Sequence, residues 1–510
     1  MATSYRNNTS CTIRLALLFF SSILFISFIN GDDSRNTDDQ LLPSYKVGVL
    51  DYNVIVPYEV IDTRKKALEA MQKNIHVYNQ TAIEAKLQGV KLLVFPEYGI
   101  LGLGVFSRKL LKLFAETIPD SKSQKIPCED AEFKDESTEV QRLLSCIAKE
   151  NEMFLVVNMA GREPCNNQSE CPPDNEYLHN TNVIFSPKGQ VVARYYKTHL
   201  FNDGYFDAAK SPEAAIFDTP FGKFATFISF DVFFKRPAIE LADKYQIRNI
   251  AFSTGWYEMT PIFRSIQVHS AFAREAQVNF LVSNMGGSGI YTPNGTKTYY
   301  YRPHTTGSNL TVSDIYQIKN VKPNSKIETD FNISNDNNTK HDTELKQIYP
   351  GFELKFKHLK TKSGSVTVCE KSFCCRAYYA IEGSFEETYA LGVFNDLMEI
   401  AGNKMYTQIC TLSKCQDSRC GSWIANAKTV FSNITLQAGG VLSKYMYPSL
   451  LTMDGDSYEL VPNDWTYSDE QGLQSLAGKK ITLHSATLMS RDFSKDILVG
   501  GKWIEEKEEE

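Results

Sequence analysis

Residues 44–300 alternate short apolar segments with amphipathic ones, and this alternation restricts the possible folds more than any other feature of the sequence. Residues 45–50 have the composition of a strand. The apolar side chains from Leu68 to Tyr78 recur at spacings of three and four, which places one apolar stripe on a helix. Gly89 ends that helix, and strand and helix signals then repeat downstream. The pattern predicts a layered α/β domain.

The sequence changes character after residue 318. Residues 323–345 are rich in Asn, Asp, Ser, Thr and Lys and contain one aromatic residue, Phe331, which predicts a linker or an exposed insertion. From residue 352 apolar and charged residues alternate, as they do in half-buried strands, so we expect a second, mostly β domain. The predicted organisation is a signal peptide at 1–31, an α/β domain at 44–318, a linker or exposed insertion at 319–346, a C-terminal domain at 347–504 and an acidic tail at 505–510.

The composition indicates a globular protein that does not bind nucleic acid. Hydrophobic residues make up 42% of the chain and charged residues 22%, which is ordinary globular usage. The 54 Lys and Arg residues against 60 Asp and Glu residues give a formal net charge of −6, and the basic residues form no stripe. A mildly acidic chain without a basic stripe lacks the electrostatic surface that nucleic-acid binding needs.

The N-terminal segment predicts secretion. Arg6 and Arg14 precede a largely apolar run at 15–29, and polar residues follow at 30–33, which is the order found in secretory signal peptides. An uncleaved membrane anchor is the alternative, since the run is at the upper end for a signal peptide but short for a spanning helix. The C-terminal residues end in glutamates and lack the apolar tail of a lipid-anchor signal. We expect a secreted, extracellular and soluble mature chain without a membrane anchor.

The cysteines agree with an oxidising compartment. Of eleven cysteines, Cys11 lies in the predicted signal peptide, and the remaining even number predicts disulfides whose connectivity stays open. A zinc site is the weaker alternative, because the spacings lack paired C-x2-C motifs and nearby histidines. We therefore expect no metal and no cofactor. The ten cysteines are Cys128, Cys146, Cys165, Cys171, Cys369, Cys374, Cys375, Cys410, Cys415 and Cys420.

Acceptor sequences for N-glycosylation also fit secretion, because they are used on surface loops of secreted proteins. Seven follow the signal peptide, at Asn79, Asn167, Asn294, Asn309, Asn332, Asn337 and Asn433.

Three side chains with complementary chemistry follow predicted strands. Glu97 comes after an apolar strand that stops at a proline, Lys197 directly follows the strand at 191–196, and Ser229 follows the strand at 224–228. Catalytic groups gather at the carboxyl ends of strands in α/β folds. A carboxylate base, an ammonium and a nucleophile are what acyl transfer from an amide requires. The alternative is that each is an ordinary surface, ion-pair or turn residue, and spacing alone does not decide between them.

Other candidate sites have weaker support. A Ser-His-Asp triad of Ser229, Asp231 and either His199 or His269 lacks the G-x-S-x-G elbow, and His269 fits a structural residue on a helix better. The glycine-rich residues 286–289 lack the Lys-Ser/Thr that follows a phosphate-binding loop.

Trp256 lies just beyond another predicted strand, on the same presumed face as these strand-end residues. It either lines an acyl pocket or covers the core.

Several short segments of the chain form recognisable motifs. They are Phe95-Pro96-Glu97-Tyr98-Gly99, Tyr196-Lys197-Thr198-His199-Leu200-Phe201, Phe230-Asp231-Val232-Phe233-Phe234, 278–284, 287–291, Cys374-Cys375, 389–394 and 408–412. These segments resemble the carbon-nitrogen hydrolase (nitrilase) superfamily, and most closely its vanin (pantetheinase) and biotinidase branch. The similarity runs from about residue 45 almost to the end of the chain. It implies an αββα sandwich followed by the branch's C-terminal base domain.

The resemblance also implies roles for the three strand-end residues. Glu97 is similar in position to the family's general base, and Lys197 to the cation that stabilises the tetrahedral oxyanion. The family places a nucleophilic cysteine within Thr-Cys-Phe-Asp, where this chain has Ile228-Ser229-Phe230-Asp231. The implied substrates are linear amides of the pantetheine or biotinyl kind. Because a serine hydroxyl ionises far less readily than a thiol, we expect this hydrolase activity to be reduced or lost. The alternative is an inactive pseudoenzyme that binds a ligand or a protein partner.

Overall fold

A computed structural model describes residues 44–57, 59–102, 107–165, 171–256, 258, 262–301, 307–318, 344–349, 352–417, 420, 426–440, 445–454 and 457–498. The expected signal peptide, the linker up to residue 343, the acidic tail and the acceptor residues Asn167, Asn332 and Asn337 lie outside the described residues. The α-helices are Arg64–Leu87, Arg108–Phe114, Glu139–Asn151, Glu240–Asp243 and Ser265–Ala276, and shorter 3-10 or π-helical turns are Ser121–Ser123, Ala131–Phe133, Ser229–Phe233, Lys235–Ile239 and Phe493–Lys495.

Two mixed sheets form the first domain. In spatial order the first contains Ser308–Tyr316, Ser44–Tyr52, Leu92–Val94, Phe154–Pro164, Glu176–Phe185 and Val191–Tyr196, with Glu116–Thr117 paired beside Phe154–Pro164. The second contains Thr298–Tyr300, Ser288–Tyr291, Asn279–Ser283, Asn249–Ser253, Gly222–Ile228 and Ala215–Thr219. Parallel pairing of Gly222–Ile228 with Asn249–Ser253 brings the carboxyl ends of these two strands to one edge.

Apolar side chains from both sheets meet between them. Val47 and Val94 of the first sheet share a buried cluster with Ala251 and Leu281 of the second. The outer faces are covered by helices, because the apolar stripe of Arg64–Leu87 packs on the first sheet and that of Ser265–Ala276 packs on the second. The αββα arrangement implied by the resemblance is therefore confirmed.

The second domain is built from antiparallel strands, as the alternating pattern predicted. Its main sheet runs, in spatial order, through Glu344–Tyr349, Phe352–His358, Thr388–Ile400, Asn403–Cys415, Ile481–Arg491, Val430–Gly439, Phe373–Glu382 and Ser363–Glu370. Further strands branch from its interior. Tyr445–Asp454 pairs with Ile481–Arg491 and with Ser457–Leu460, and Gly472–Ser475 pairs with Val430–Gly439 and with Trp465–Ser468. Tyr447 and Met489 of this domain share a buried cluster with Phe233 and Phe272 of the first, so apolar packing joins the two domains.

All ten predicted cysteines form disulfides. The pairs are Cys128–Cys146, Cys165–Cys171, Cys369–Cys374, Cys375–Cys410 and Cys415–Cys420. Each pair lies within one domain, and the longest sequence separation is 35, between Cys375 and Cys410.

The predicted glycosylation sites differ in exposure. Asn294 and Asn433 are exposed, whereas Asn79 and Asn309 are partly buried. Glycan attachment at all four stays a prediction.

The segment after the Ser229 turn contains only a short α-helix. The chain forms a π-helical turn over Lys235–Ile239 and then a single α-helical turn at Glu240–Asp243. Arg236, which precedes Pro237, has an extended backbone conformation, as residues before proline usually do. Among the described residues, no helix combines the length and apolar character that crossing a membrane requires.

Candidate active site

The three predicted strand-end residues each follow a strand of the two sheets. Glu97 follows Leu92–Val94 and Lys197 follows Val191–Tyr196 in the first sheet, while Ser229 follows Gly222–Ile228 in the second. All three are buried, with 1%, 1% and 7% of their surfaces exposed. Charged residues are seldom buried this completely unless they are paired.

A buried ion-pair network joins Glu97 and Lys197. The Lys197 Nζ lies 2.8 Å from Glu97 Oε1 and 2.9 Å from Asp203 Oδ2. Asp203 also accepts a hydrogen bond of 2.8 Å from the hydroxyl of Tyr98. Burial opposes the charged form of Lys197, but the two carboxylates outweigh it, so the pKa of Lys197 is raised. Lys197 is therefore held as a cation at the site.

Neutral donors fix both carboxylate oxygens of Glu97. Asn180 Nδ2 donates to Oε1 over 2.7 Å, and the backbone N–H of Gly255 donates to Oε2 over 2.8 Å. A Cβ atom at position 255 would lie 2.8 Å from Met285 Cε and 3.2 Å from Tyr98 Cδ2, so a residue larger than glycine would crowd this contact. The carboxylate is thereby oriented from both sheets.

Ser229 sits on a sharp turn between its strand and the 3-10 turn Ser229–Phe233. Its backbone φ is +48°, in the left-handed region that costs a non-glycine residue about 1–2 kcal/mol. Such a strand-to-helix turn exposes the nucleophile in hydrolases, although the G-x-S-x-G sequence is missing here. The Thr254 hydroxyl donates to Ser229 Oγ over 3.2 Å. Thr254 and Gly255 are adjacent, so one short segment contacts both Ser229 and Glu97.

Asp231 joins the Ser229 turn to the segment that carries Lys197. Its carboxylate accepts hydrogen bonds of 2.8 Å from the Tyr195 hydroxyl and from the backbone N–H of His199. The His199 ring contacts the same carboxylate through Nδ1 at 2.8 Å and stacks on Phe234 at 3.6 Å between ring centroids. The described residues show no hydrogen bond between His199 and Ser229. The geometry therefore favours a structural role for Asp231, which links the Ser229 turn to Tyr195 and His199, over the Ser-His-Asp alternative.

His269 is fully buried on the helix Ser265–Ala276. Burial lowers its pKa to about 3, so its ring is neutral. Neither ring nitrogen has a hydrogen-bond partner among the described residues. These contacts are those of a packed side chain.

Trp256 is half-buried and directly follows Gly255. Its backbone N–H donates to Asn284 Oδ1 over 2.9 Å, and its Nε1 donates to the Phe263 carbonyl over 3.0 Å. The indole lies 4.9 Å from the His269 ring and 5.6 Å from that of Phe233. The ring is thus fixed beside the Ser229 turn, and its role in a pocket stays a prediction.

The glycine-rich turn at 286–289 binds a carboxylate of the chain itself. Asp51 Oδ2 accepts backbone N–H bonds from Gly286, Gly287 and Ser288, of 3.2, 2.9 and 3.0 Å. The Ser288 hydroxyl adds a bond of 2.7 Å. Successive N–H groups form anion-binding concavities, and Asp51 fills this one.

A histidine lies near one disulfide of the second domain. Ligand atoms of His358, Cys415 and Cys420 lie within 4.8 Å of one another. The two cysteines are bonded to each other, so their sulfur atoms are not thiolate ligands. The cysteine spacings indicated no nearby histidine, but the fold brings His358 close to this disulfide. The three residues do not form a thiolate metal site.

Comparison with known proteins finds a matching family for each domain. Residues 49–295 match the carbon-nitrogen hydrolase family, and residues 339–496 match the vanin C-terminal domain family. Symplectin of Sthenoteuthis oualaniensis is 41% identical over 467 residues, covering 89% of this chain and 92% of that protein. Pantetheinase of Mus musculus is 33% identical over 89% of this chain and 90% of the relative, and biotinidase of Takifugu rubripes is 32% identical over 80% and 86%.

This chain belongs to the vanin and biotinidase branch of the carbon-nitrogen hydrolases. The resemblance drawn from the short motifs is thus confirmed for both halves of the chain. Membership of this branch makes the Glu97–Lys197 pair and the Ser229 turn the candidate active site. The catalytic roles of the individual side chains stay predictions.

Sequence reasoning missed three side chains that build the site. Asp203 shares the ammonium of Lys197, Asn180 holds Glu97, and Thr254 bonds Ser229. Asp203 lies only six residues after Lys197, and this short separation could have suggested an ion pair between the two. Asn180 and Thr254 carried no such signal, because their contacts depend on how the strands pair and how the sheets face each other.

Proposed function

We propose that this protein is an amide-binding member of the vanin and biotinidase branch whose hydrolytic turnover is reduced or lost because Ser229 occupies the nucleophile position. The names pantetheinase and biotinidase of its relatives support pantetheine-like or biotinyl amides as the ligand class. The observation that carries the proposal is that two adjacent residues link the serine to the buried Glu97–Lys197 pair. Thr254 donates to the Ser229 hydroxyl, and Gly255 donates to the carboxylate of Glu97.

The chemical reason lies in the first proton transfer. A cysteine thiol is a few per cent ionised near neutral pH and needs little help from a base, whereas a serine hydroxyl must lose its proton as it attacks. Glu97 is the proposed base in either case. A barrier that is higher by about 3–5 kcal/mol slows the reaction by about 10²–10⁴-fold.

The rest of the proposed machinery is retained. Lys197 is held as a cation by Glu97 and Asp203, in a buried setting where a fixed charge stabilises a developing oxyanion more than it would in water. We assign Trp256 to the wall of the acyl pocket, since its half-buried ring is fixed between Phe233 and the segment that contacts Glu97. Binding of the amide therefore does not require a cysteine.

The same proposal places the protein outside the cell. Five disulfides within one chain support an oxidising compartment, where such bonds form and persist. Removal of residues 1–31 and glycans at the exposed Asn294 and Asn433 are parts of this proposal.

The test measures binding and turnover separately. Wild-type protein purified from culture medium is assayed for thermal stabilisation by pantetheine and by a biotinyl amide, and for amine release from each. We expect stabilisation by at least one amide, with amine release that is slow or absent and that disappears in Glu97→Gln. Stabilisation without release supports the pseudoenzyme form of the proposal. A protein that neither binds nor cleaves either amide contradicts the ligand assignment.

A further inference from the structure

A buried arginine of the second domain reaches the turn that carries Ser229. Arg491 ends the strand Ile481–Arg491 and is 1% exposed. Its Nη2 donates to the backbone carbonyl of Phe233 over 3.1 Å and to Asp496 Oδ2 over 2.7 Å. Its Nη1 donates to Asp496 Oδ1 over 3.2 Å and to the Tyr406 carbonyl over 3.3 Å. The charge of Arg491 is thus neutralised by Asp496 of its own domain. One N–H of its Nη2 is left to donate to the first domain.

Phe233, whose carbonyl accepts the hydrogen bond from Arg491, is the last residue of the turn Ser229–Phe233. Carbonyl groups at the end of a helical turn have no partner inside the turn, and they need a donor from elsewhere when they are buried. Here the donor comes from the second domain. The Phe233 ring also packs 5.6 Å from Trp256 and 5.8 Å from Phe263, so the position of this residue affects the wall next to the site.

Packing alone leaves this end of the turn partly unsupported. A cavity of about 20 Å³, which is room for about one water, lies between the domains and is lined by Val232, Phe233, Gln267, Met489 and Arg491 among others. The hydrogen bond from Arg491 therefore restrains the end of the turn that borders this cavity. At the other end, the Ile228 N–H makes a longer bond of 3.4 Å to Asp231.

We propose that Arg491 is a positioning residue that holds the nucleophile turn from the second domain. Ser229 has a left-handed backbone conformation, which persists only when the surrounding structure fixes both ends of the turn. The second domain is then a working part of the site and not only an attached module. This inference rests on the assignment of position 229 as the nucleophile position.

The test uses Ser229→Cys as a reporter. All ten cysteines of residues 128–420 are paired, so the introduced thiol is the only free one once residues 1–31 are removed. Arg491→Lys is added to this variant. Lysine keeps the charge beside Asp496, but a single compact ammonium replaces the planar guanidinium whose two Nη atoms reach the Phe233 and Tyr406 carbonyls. A second variant, Arg491→Gln with Asp496→Asn, removes the buried pair as a unit. Tyr458→Phe is the matched control, since it removes the interdomain bond from Arg264, of 3.1 Å, which does not involve the nucleophile turn.

Two readouts separate positioning from stability. The rate constant for alkylation of the position-229 thiol by iodoacetamide, and kcat for amide hydrolysis, are each expected to fall about tenfold or more in both Arg491 variants, with KM unchanged. The Tyr458→Phe control is expected to leave both within about twofold of the reporter, and all folded variants are compared below their unfolding midpoints. Alkylation needs no amide turnover, so it tests the inference even if the reporter hydrolyses nothing. If the alkylation rate constant and kcat of both Arg491 variants stay within twofold of the reporter, the positioning role of Arg491 is overturned.

Discussion

The ammonium of Lys197 lies 2.8 Å from Glu97 and 2.9 Å from Asp203, so one buried cation is shared by two buried carboxylates. The side chains come from two segments that follow strands of the first sheet, and among the described residues no second cation forms an ion pair with either carboxylate. The balance of charge in the site therefore depends on Lys197 more than on either acid.

Lys197→Met is expected to destabilise the fold strongly. It leaves two carboxylates buried without their cation, and breaking a buried pair by removing one partner costs about 3–5 kcal/mol. The free energy of unfolding from urea titration measures this. Lys66→Met is the matched control, because Lys66 pairs with Asp62 at 2.9 Å on the exposed surface, where such a pair is worth about 1 kcal/mol or less. Equal losses in the two variants would contradict the account.

Glu97→Gln is expected to stop hydrolysis without unfolding the protein. In the Ser229→Cys background, loss of the proposed base is expected to lower kcat by about 10²–10⁴-fold. The amide oxygen of glutamine can still accept one of the bonds from Asn180 or Gly255, so the unfolding transition is expected to stay cooperative. Glu84→Gln, on the exposed side of Arg64–Leu87, is the control and is expected to leave kcat unchanged. Activity retained in Glu97→Gln would remove Glu97 from the role of base.

The disulfide pattern predicts a thiol count. Unfolded without reductant, the wild-type chain lacking residues 1–31 is expected to show no reactive thiol, and Ser229→Cys is expected to show one. Titration with a chromogenic disulfide reagent measures both. A reactive thiol in the wild type would mean that at least one predicted pair does not form.

Glu258 is expected to make the stability depend on pH. Burial raises its pKa to about 6 from the ordinary 4.5, so the folded state binds a proton more tightly than the unfolded state does. Its contribution is therefore fully present below pH 4.5 and is lost as the pH rises through 6. The free energy of unfolding of Glu258→Gln minus that of the wild type is expected to grow by about 2 kcal/mol between pH 4 and pH 7. A difference that does not change with pH would contradict the shifted pKa.

Local sequence signals were sufficient for much of this fold. The apolar runs predicted the strands before Glu97, Lys197 and Ser229, because buried strands need continuous apolar side chains whatever their partners are. Turn and proline signals also located the ends of those strands, so position and chemistry made Glu97, Lys197 and Ser229 candidates. The resemblance to the family then favoured them over ordinary strand-end residues. The family of the chain followed from the short motifs around them.

The remainder of the site depends on contacts that a linear pattern does not encode. The bond from Asn180 to Glu97 spans 83 residues, and that from Gly255 to Glu97 spans 158, so both exist only after the sheets are packed. The link from Arg491 to Phe233 spans 258 residues and two domains.

The role of position 229 is tested by the ratio of kcat/KM for amide hydrolysis between Ser229→Cys and the wild type, measured on pantetheine with the same preparation and pH. We expect the cysteine variant to be faster by about 10²-fold or more, because only the nucleophile limits an otherwise intact site. A wild-type rate equal to that of the variant would show that Ser229 is a fully working nucleophile and that the substitution does not limit turnover.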